Sequence, residues 1–212
     1  MGQRLTVNLM YEGDCVAGMY QHWSAYTHCS YEVVEEVLSG FEKVPESYDE
    51  AVLIGLKMFR CCPGASINHQ EYNKFMLNKE FRGRTDLHKQ IRALGKEFPM
   101  KADRNDGFIV VGHEAESVSG WGEYSVFIHL DTQIVEFLVW SEFESYEDFV
   151  DSCCYGASTV IRPRKVVLPE KIDPTRFKFD QIEDVCYLVN QMCNGFSYEF
   201  IMPDGRVLSA IA

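Results

Sequence analysis

The chain contains no run of 18 apolar residues, so no segment reads as a membrane-spanning helix. Its first residues lack the charged and apolar regions of a secretory signal, and a cytoplasmic chain with reduced thiols is expected. Positive charge is scarce: 20 Lys and Arg stand against 32 Asp and Glu, a net charge of −12. That balance argues against nucleic-acid backbone binding, which needs clustered cations. It leaves room for a small basic site, or for an acidic surface that meets a basic partner. HExxH, the P-loop, GxSxG and GxGxxG are all missing, so no short motif announces an enzyme.

The eight cysteines contain no CxxC. They fall as Cys61-Cys62, Cys153-Cys154, Cys186 and Cys193, with Cys15 and Cys29 alone. Adjacent cysteines do not easily face one metal, so free and mostly buried thiols are expected, with no metal and no cofactor. His113-Glu114 followed by Glu116 has the form of half a zinc-deaminase motif, but the PCxxC half is missing.

What the chain does have is ordinary globular composition, 46% hydrophobic and 25% charged over 212 residues, with aromatics at 13%. Met1 to Thr6 has the spacing of a myristoylation signal. The alternation of Leu5, Val7, Leu9 and Tyr11 instead reads as a strand over 3–11. Glu12-Gly13-Asp14 turns it back into a strand over 15–21. A helix follows near 31–42, ended by Gly40 and Pro45. Ser47-Tyr48-Asp49-Glu50 is a capping box for a helix to about Phe59. Further helices are predicted over 69–81 and from Thr85 to Leu94.

Residues 99–106 read as a connection, 107–112 as a strand and 113–120 as loop-like. The runs 124–130 and 134–140 form a hairpin. A short helix is predicted from Ser145 to about Cys154, then extended chain over 159–168. Asp180 opens a helix that ends at Asn194-Gly195, before a last hairpin over 196–202 and 206–211. Strands in hairpins and helices in a block give an α+β fold. The expectation is an antiparallel sheet of five to seven strands with the helices packed on one face. One domain is predicted, with a weak candidate boundary near residue 100.

The densest chemistry lies between Tyr20 and Cys29. Tyr20, Trp23 and Tyr26 offer stacking rings, while His22, Ser24 and Thr27 offer hydrogen bonds to phosphate or ribose. A strand-to-helix junction also supplies free amides. The alternative is a polar piece of core. Arg104-Asn105-Asp106-Gly107 is a second block. Arg104 can fork onto an anion and Asp106 can orient it or bind hydroxyls, or the block is an Asx-type turn. Arg82 and Arg84 flank Gly83 among Lys79, His88, Lys89 and Arg92, and offer anion attraction or simply a solvated helix face. Arg162-Pro163-Arg164-Lys165 reads as a charged edge strand. A Cys–His nucleophile pair from Cys29 and His28, or Cys15 and His22, rests on sequence neighbourhood alone.

His22-Trp23-Ser24-Ala25-Tyr26-Thr27, Arg104-Asn105-Asp106-Gly107 and Ile128-His129-Leu130-Asp131-Thr132 together resemble blocks of small phage- and prophage-encoded proteins of unknown function. The resemblance implies a bacterial or infected-cell cytosol and a counter-defence role, and it transfers no catalytic residue. The first functional reading is a non-catalytic binding protein that sequesters a small anionic or nucleotide-like ligand. The second is an acidic inhibitor of a basic host protein, for which Glu142 to Asp148 mixes acid with aromatics. The third is a hydrolase or transferase using a histidine or a cysteine. Oligomeric state is open.

Overall fold

The computed structural model describes residues 4–22, 27–62, 81, 83–97, 107–122, 124–139, 164–167, 176–193, 198–201 and 207–210. Leu5, Val7 and Leu9 point one way along β1 (Arg4–Tyr11), and all three are fully buried. Glu12 (φ 50) and Gly13 (φ 88) both take positive φ, the signature of the two-residue turn that matches strand twist. The chain returns as β2 (Asp14–His22). Its register slips between Leu9 and Met10, with Leu9 opposite Ala17 and Met10 opposite Cys15. Val16 is the extra residue of a β-bulge.

The main sheet has six strands, in the order β3-β2-β1-β4-β5-β7. Its other members are β3 (Gly107–Val111), β4 (Tyr124–His129), β5 (Ile134–Val139) and β7 (Arg176–Lys178). The α+β class holds, and four of the five ladders are antiparallel, two of them the hairpins β1–β2 and β4–β5. The fifth is different: β1 and β4, the central pair, run parallel. The reason is topological. Each hairpin is antiparallel within itself, but two hairpins laid side by side meet in whichever sense their long connection allows. A separate ladder joins β6 (Arg164–Val167), β8 (Tyr198–Ile201) and β9 (Val207–Ala210), with β8–β9 antiparallel and β6–β8 parallel. Strands from both sides of residue 100 share the main sheet, since β2 pairs with β3 and β1 with β4.

One face of the main sheet carries the helices. These are α1 (Thr27–Ser39), α2 (Tyr48–Arg60), α3 (Thr85–Glu97) and α4 (Ile182–Cys193). α1 starts four residues before its predicted start and stops before Gly40, where an added Cβ would lie 2.7 Å from the Met58 Cα. Ser47 caps α2 by accepting from the Glu50 amide at 3.3 Å. The return bond of the capping box goes one residue further back, from the Glu46 amide to Glu50 Oε2 at 2.7 Å. Tyr31 of α1 stacks on Phe137 of β5 at 4.2 Å between ring centres, and Phe177 of β7 stands next to both. Burial of such rings contributes about 2–3 kcal/mol each. α4 locks onto α1 through Cys186, whose Sγ donates to the Tyr31 carbonyl at 3.6 Å.

The predicted helices over 69–81 and 145–154 lie outside the described residues, apart from Phe81. Among the described residues, no helix is long and apolar enough to cross a membrane.

Candidate functional site

The opposite face of the sheet buries a row of polar groups. Alternation puts Thr6 and Asn8 of β1 on this face, with Tyr20, Gly18 and Cys15 beside them on β2 and Ser125 on β4. A polar strand face is expected to meet water. Here Thr6 is 0% exposed, Asn8 1% and Ser125 3%, so something covers them. Part of the cover is a 3-10 segment, His113–Trp121, hereafter the strap, in the stretch expected to be loop-like. Nine residues is long for a helix with i→i+3 bonds, which are strained and usually run three or four residues.

The strap lies across β2, β1 and β3, and His113 at its start stacks on Tyr48 of α2 at 4.9 Å between ring centres. Ala115 and Val118, three residues apart and so eclipsed on a 3-10 helix, are its buried pegs. They pack with Cys15, Tyr20 and Val110 in a small cluster separate from the main core. The seat is Gly18: an added Cβ there would lie 2.9 Å from the Ala115 carbonyl oxygen and 3.1 Å from the Val118 Cβ. Gly112 (φ 84) opens the strap in a conformation that favours glycine, and its amide donates to the carbonyl of the bulge residue Val16 at 2.7 Å. The bulge in β2 and the strap are therefore coupled.

Beside this seat the polar row is only partly satisfied. The Thr6 and Ser125 hydroxyls bond each other at 2.9 Å, across β1 and β4. Asn8 Nδ2 donates to the Val126 carbonyl at 3.2 Å. Asn8 Oδ1 is buried and has no hydrogen-bond partner among the described residues. Leaving such an acceptor unmet costs about 1–3 kcal/mol. None of Thr6, Asn8 and Ser125 figured among the candidates drawn from the sequence.

Of the sequence candidates, Tyr20 lies on this face, 8% exposed, beneath the strap. His22 is the last residue of β2, opposite Arg4, and Thr27 is the first residue of α1. Trp23, Ser24 and Tyr26 lie outside the described residues, as do Arg82, Arg104 and Asp106. The strand register places the described residues next to two of these blocks. Gln21 pairs with Gly107, so the chain leaves β2 toward Trp23 at the sheet end where it enters β3 from Asp106. Arg4, exposed, stands at the same end. Arg84 is engaged elsewhere: its guanidinium pairs with Asp49 in the first turn of α2, and both are half-exposed. Lys89 pairs with Asp86 one turn away at 3.7 Å. His88 Nε2 is buried and has no partner among the described residues.

The buried thiols among the described residues are poorly suited to attack. Cys15, Cys29, Cys61, Cys62 and Cys186 form no disulfide. Burial pushes the Cys15, Cys62 and Cys186 thiols up to about 12, so they stay protonated at neutral pH. Gln21 Nε2 donates to Cys62 Sγ at 3.1 Å, on the helix-bearing face. Burial raises the neighbouring Glu36 carboxyl as well; its hydrogen bond with Cys62 works against that rise, and Glu32 and Glu35 add to it. Among the described residues, no three His, Cys, Asp or Glu side chains converge to hold a metal. Comparisons with protein-family models, curated proteins and solved structures return no match to this chain.

Proposed function

We propose that this protein is a non-catalytic binder of a small anionic, nucleotide-like ligand, held on the strap-covered face of the sheet. The carrying observation is the buried polar row with its unmet acceptor, Asn8 Oδ1, beside Tyr20 and under the strap. Buried polar groups are normally satisfied within a fold, and an unmet one in a native structure points to a missing partner. The β2–β3 register supports the same location. It brings the end of β2, which precedes Trp23 in the chain, and the start of β3, which follows Asp106, to one end of the same sheet. The protonated thiols fit a role that needs affinity and copy number, not a nucleophile. In this reading the protein acts in the cytoplasm and sequesters its ligand, the counter-defence role that the resemblance to phage proteins implies.

The test is native mass spectrometry of the protein purified from its host, followed by titration with a panel of nucleotides. A retained anionic small molecule, or a saturable shift with one of the panel, is the expected result. No retained molecule and no panel binding would sink the proposal. An acidic interface for a basic protein partner is the second reading. It is favoured by Tyr187, 69% exposed on α4 near Glu183 and Asp184. Capture of a basic protein that Tyr187→Ala abolishes would favour it instead.

A further inference from the structure

Asn8 offers more than a place for a ligand, because the state of its amide restricts what the ligand must carry. The Nδ2 group is committed to the Val126 carbonyl at 3.2 Å. Turning the amide over would present a donor to the ligand, but it would set Oδ1 against that carbonyl, lone pair to lone pair. The orientation is thus fixed by β4 itself, and the free atom is the acceptor. At 1% exposure, Asn8 also has little water to fall back on. Across the ladder from Asn8 stands Gly18, the glycine that seats the strap, so this acceptor lies next to the cover's own socket.

We infer that Asn8 Oδ1 is the selectivity point of the site: it accepts one N–H from the ligand's exocyclic amino group, as borne by an aminopurine or aminopyrimidine base. The inference rests on the binding reading above and adds the chemical class. Asparagine commonly reads adenine with donor and acceptor together. This one has a single free function, an acceptor, so it distinguishes a base edge that offers a donor at that point from one that does not. A ring without that group leaves the buried carbonyl unmet, which is the strong form of discrimination by a polar site.

The experiment is a pair of titrations at constant salt. Adenosine 5′-monophosphate is compared with purine riboside 5′-monophosphate, and cytidine 5′-monophosphate with its analogue lacking the 4-amino group. Loss of the amino group is expected to weaken binding about 10- to 100-fold. In Asn8→Val, which leaves no side-chain acceptor there, the two members of each pair are expected to bind alike. If Asn8→Val does not fold, by circular dichroism, the wild-type comparison decides alone. Binding that ignores the amino group, or discrimination that survives in a folded Asn8→Val, overturns the inference and leaves the binding reading standing. An ordered water still bonded to Oδ1 in a crystal of the complex overturns it too. Absence of binding by all four nucleotides overturns the inference, while the binding reading falls only if native mass spectrometry also shows no retained anionic molecule and no binding from the wider panel.

Discussion

Replacing Gly18 with alanine tests whether the strap is seated as the structure shows. The backbone at Gly18 suits any residue, so the substitution itself relieves some unfolded-state entropy, worth about 0.4–1 kcal/mol in favour of the variant. Against this, the new methyl lies 2.9 Å from the Ala115 carbonyl oxygen and 3.1 and 3.2 Å from two carbons of Val118. A carbonyl oxygen in a hydrogen-bonded strap does not step aside like the end of a long side chain. If the strap stays, overpacking costs about 1–3 kcal/mol. If it lifts, burial of the valine is lost, about 1.5–3 kcal/mol. Either route leaves a net loss of about 1–2 kcal/mol. With a urea m-value of about 2–3 kcal/mol/M, the midpoint falls by about 0.5 M. Hydrogen exchange locates the damage: the Gly112 and Ala115 amides, bonded to Val16 and Gly112, exchange faster, while the Leu130 amide on Met10 does not. Gly55→Ala is the control. Its methyl meets the flexible end of Leu9 at 3.0 Å, and the helix gains about 1 kcal/mol, so stability stays close to wild type. A Gly18→Ala protein with an unshifted midpoint and unchanged strap amides refutes the seating argument.

Other substitutions test other parts. Ser47→Ala removes the cap on the Glu50 amide and lowers stability by about 1 kcal/mol in a urea titration, with the loss restored by Ser47→Asp. Brief alkylation at pH 8 followed by peptide mapping modifies exposed Cys61 and spares its neighbour Cys62, together with Cys15 and Cys186, whose thiols are pushed up to about 12. The raised Glu36 carboxyl binds its proton more tightly in the folded than in the unfolded chain. Its contribution to stability therefore falls as pH rises from the ordinary carboxylate value through the raised one. Glu36→Gln flattens that slope and is more stable than wild type at pH 7; equal slopes for the two proteins would contradict it. Thr6→Val breaks the buried hydroxyl pair and costs about 1 kcal/mol, part of which the double variant with Ser125→Ala recovers, as a double-mutant cycle will show.

The features legible in the sequence are the local ones. Glu12-Gly13 sets a turn, Ser47 sets a helix start, and Ile134 to Val139 alternates against Tyr124 to His129, so hairpins and capped helices follow from neighbours in the chain. Tyr20 stood out for its company, and the strand after Asp106 stood out for its apolar run. What stayed hidden depends on distant chain. Alternation in β1 says that Thr6 and Asn8 share a face, but it does not say what lies over that face. The strap was the obscured element. Ala115 and Val118 repeat at an interval of three, the 3-10 spacing, yet two small residues in a polar stretch give little periodicity to read. The parallel sense of β1 and β4 has no sequence signal at all, because no turn connects them.

That parallel pair also governs the order in which the molecule can be assembled. Thr6 and Ser125 are 119 residues apart along the chain, so their ladder closes a long loop, at an entropic cost of about 4 kcal/mol. Each hairpin zips in microseconds, and the junction between them forms afterwards, between two preformed halves. On the ribosome the first hairpin emerges about 10 s before its neighbour, at ordinary elongation rates. For that interval the β4 edge of β1 stands unpaired, although α2, made before β4, already reaches its apolar side. The open strand edge, more than the hydrophobic face, is the exposure that synthesis leaves for this chain to close last.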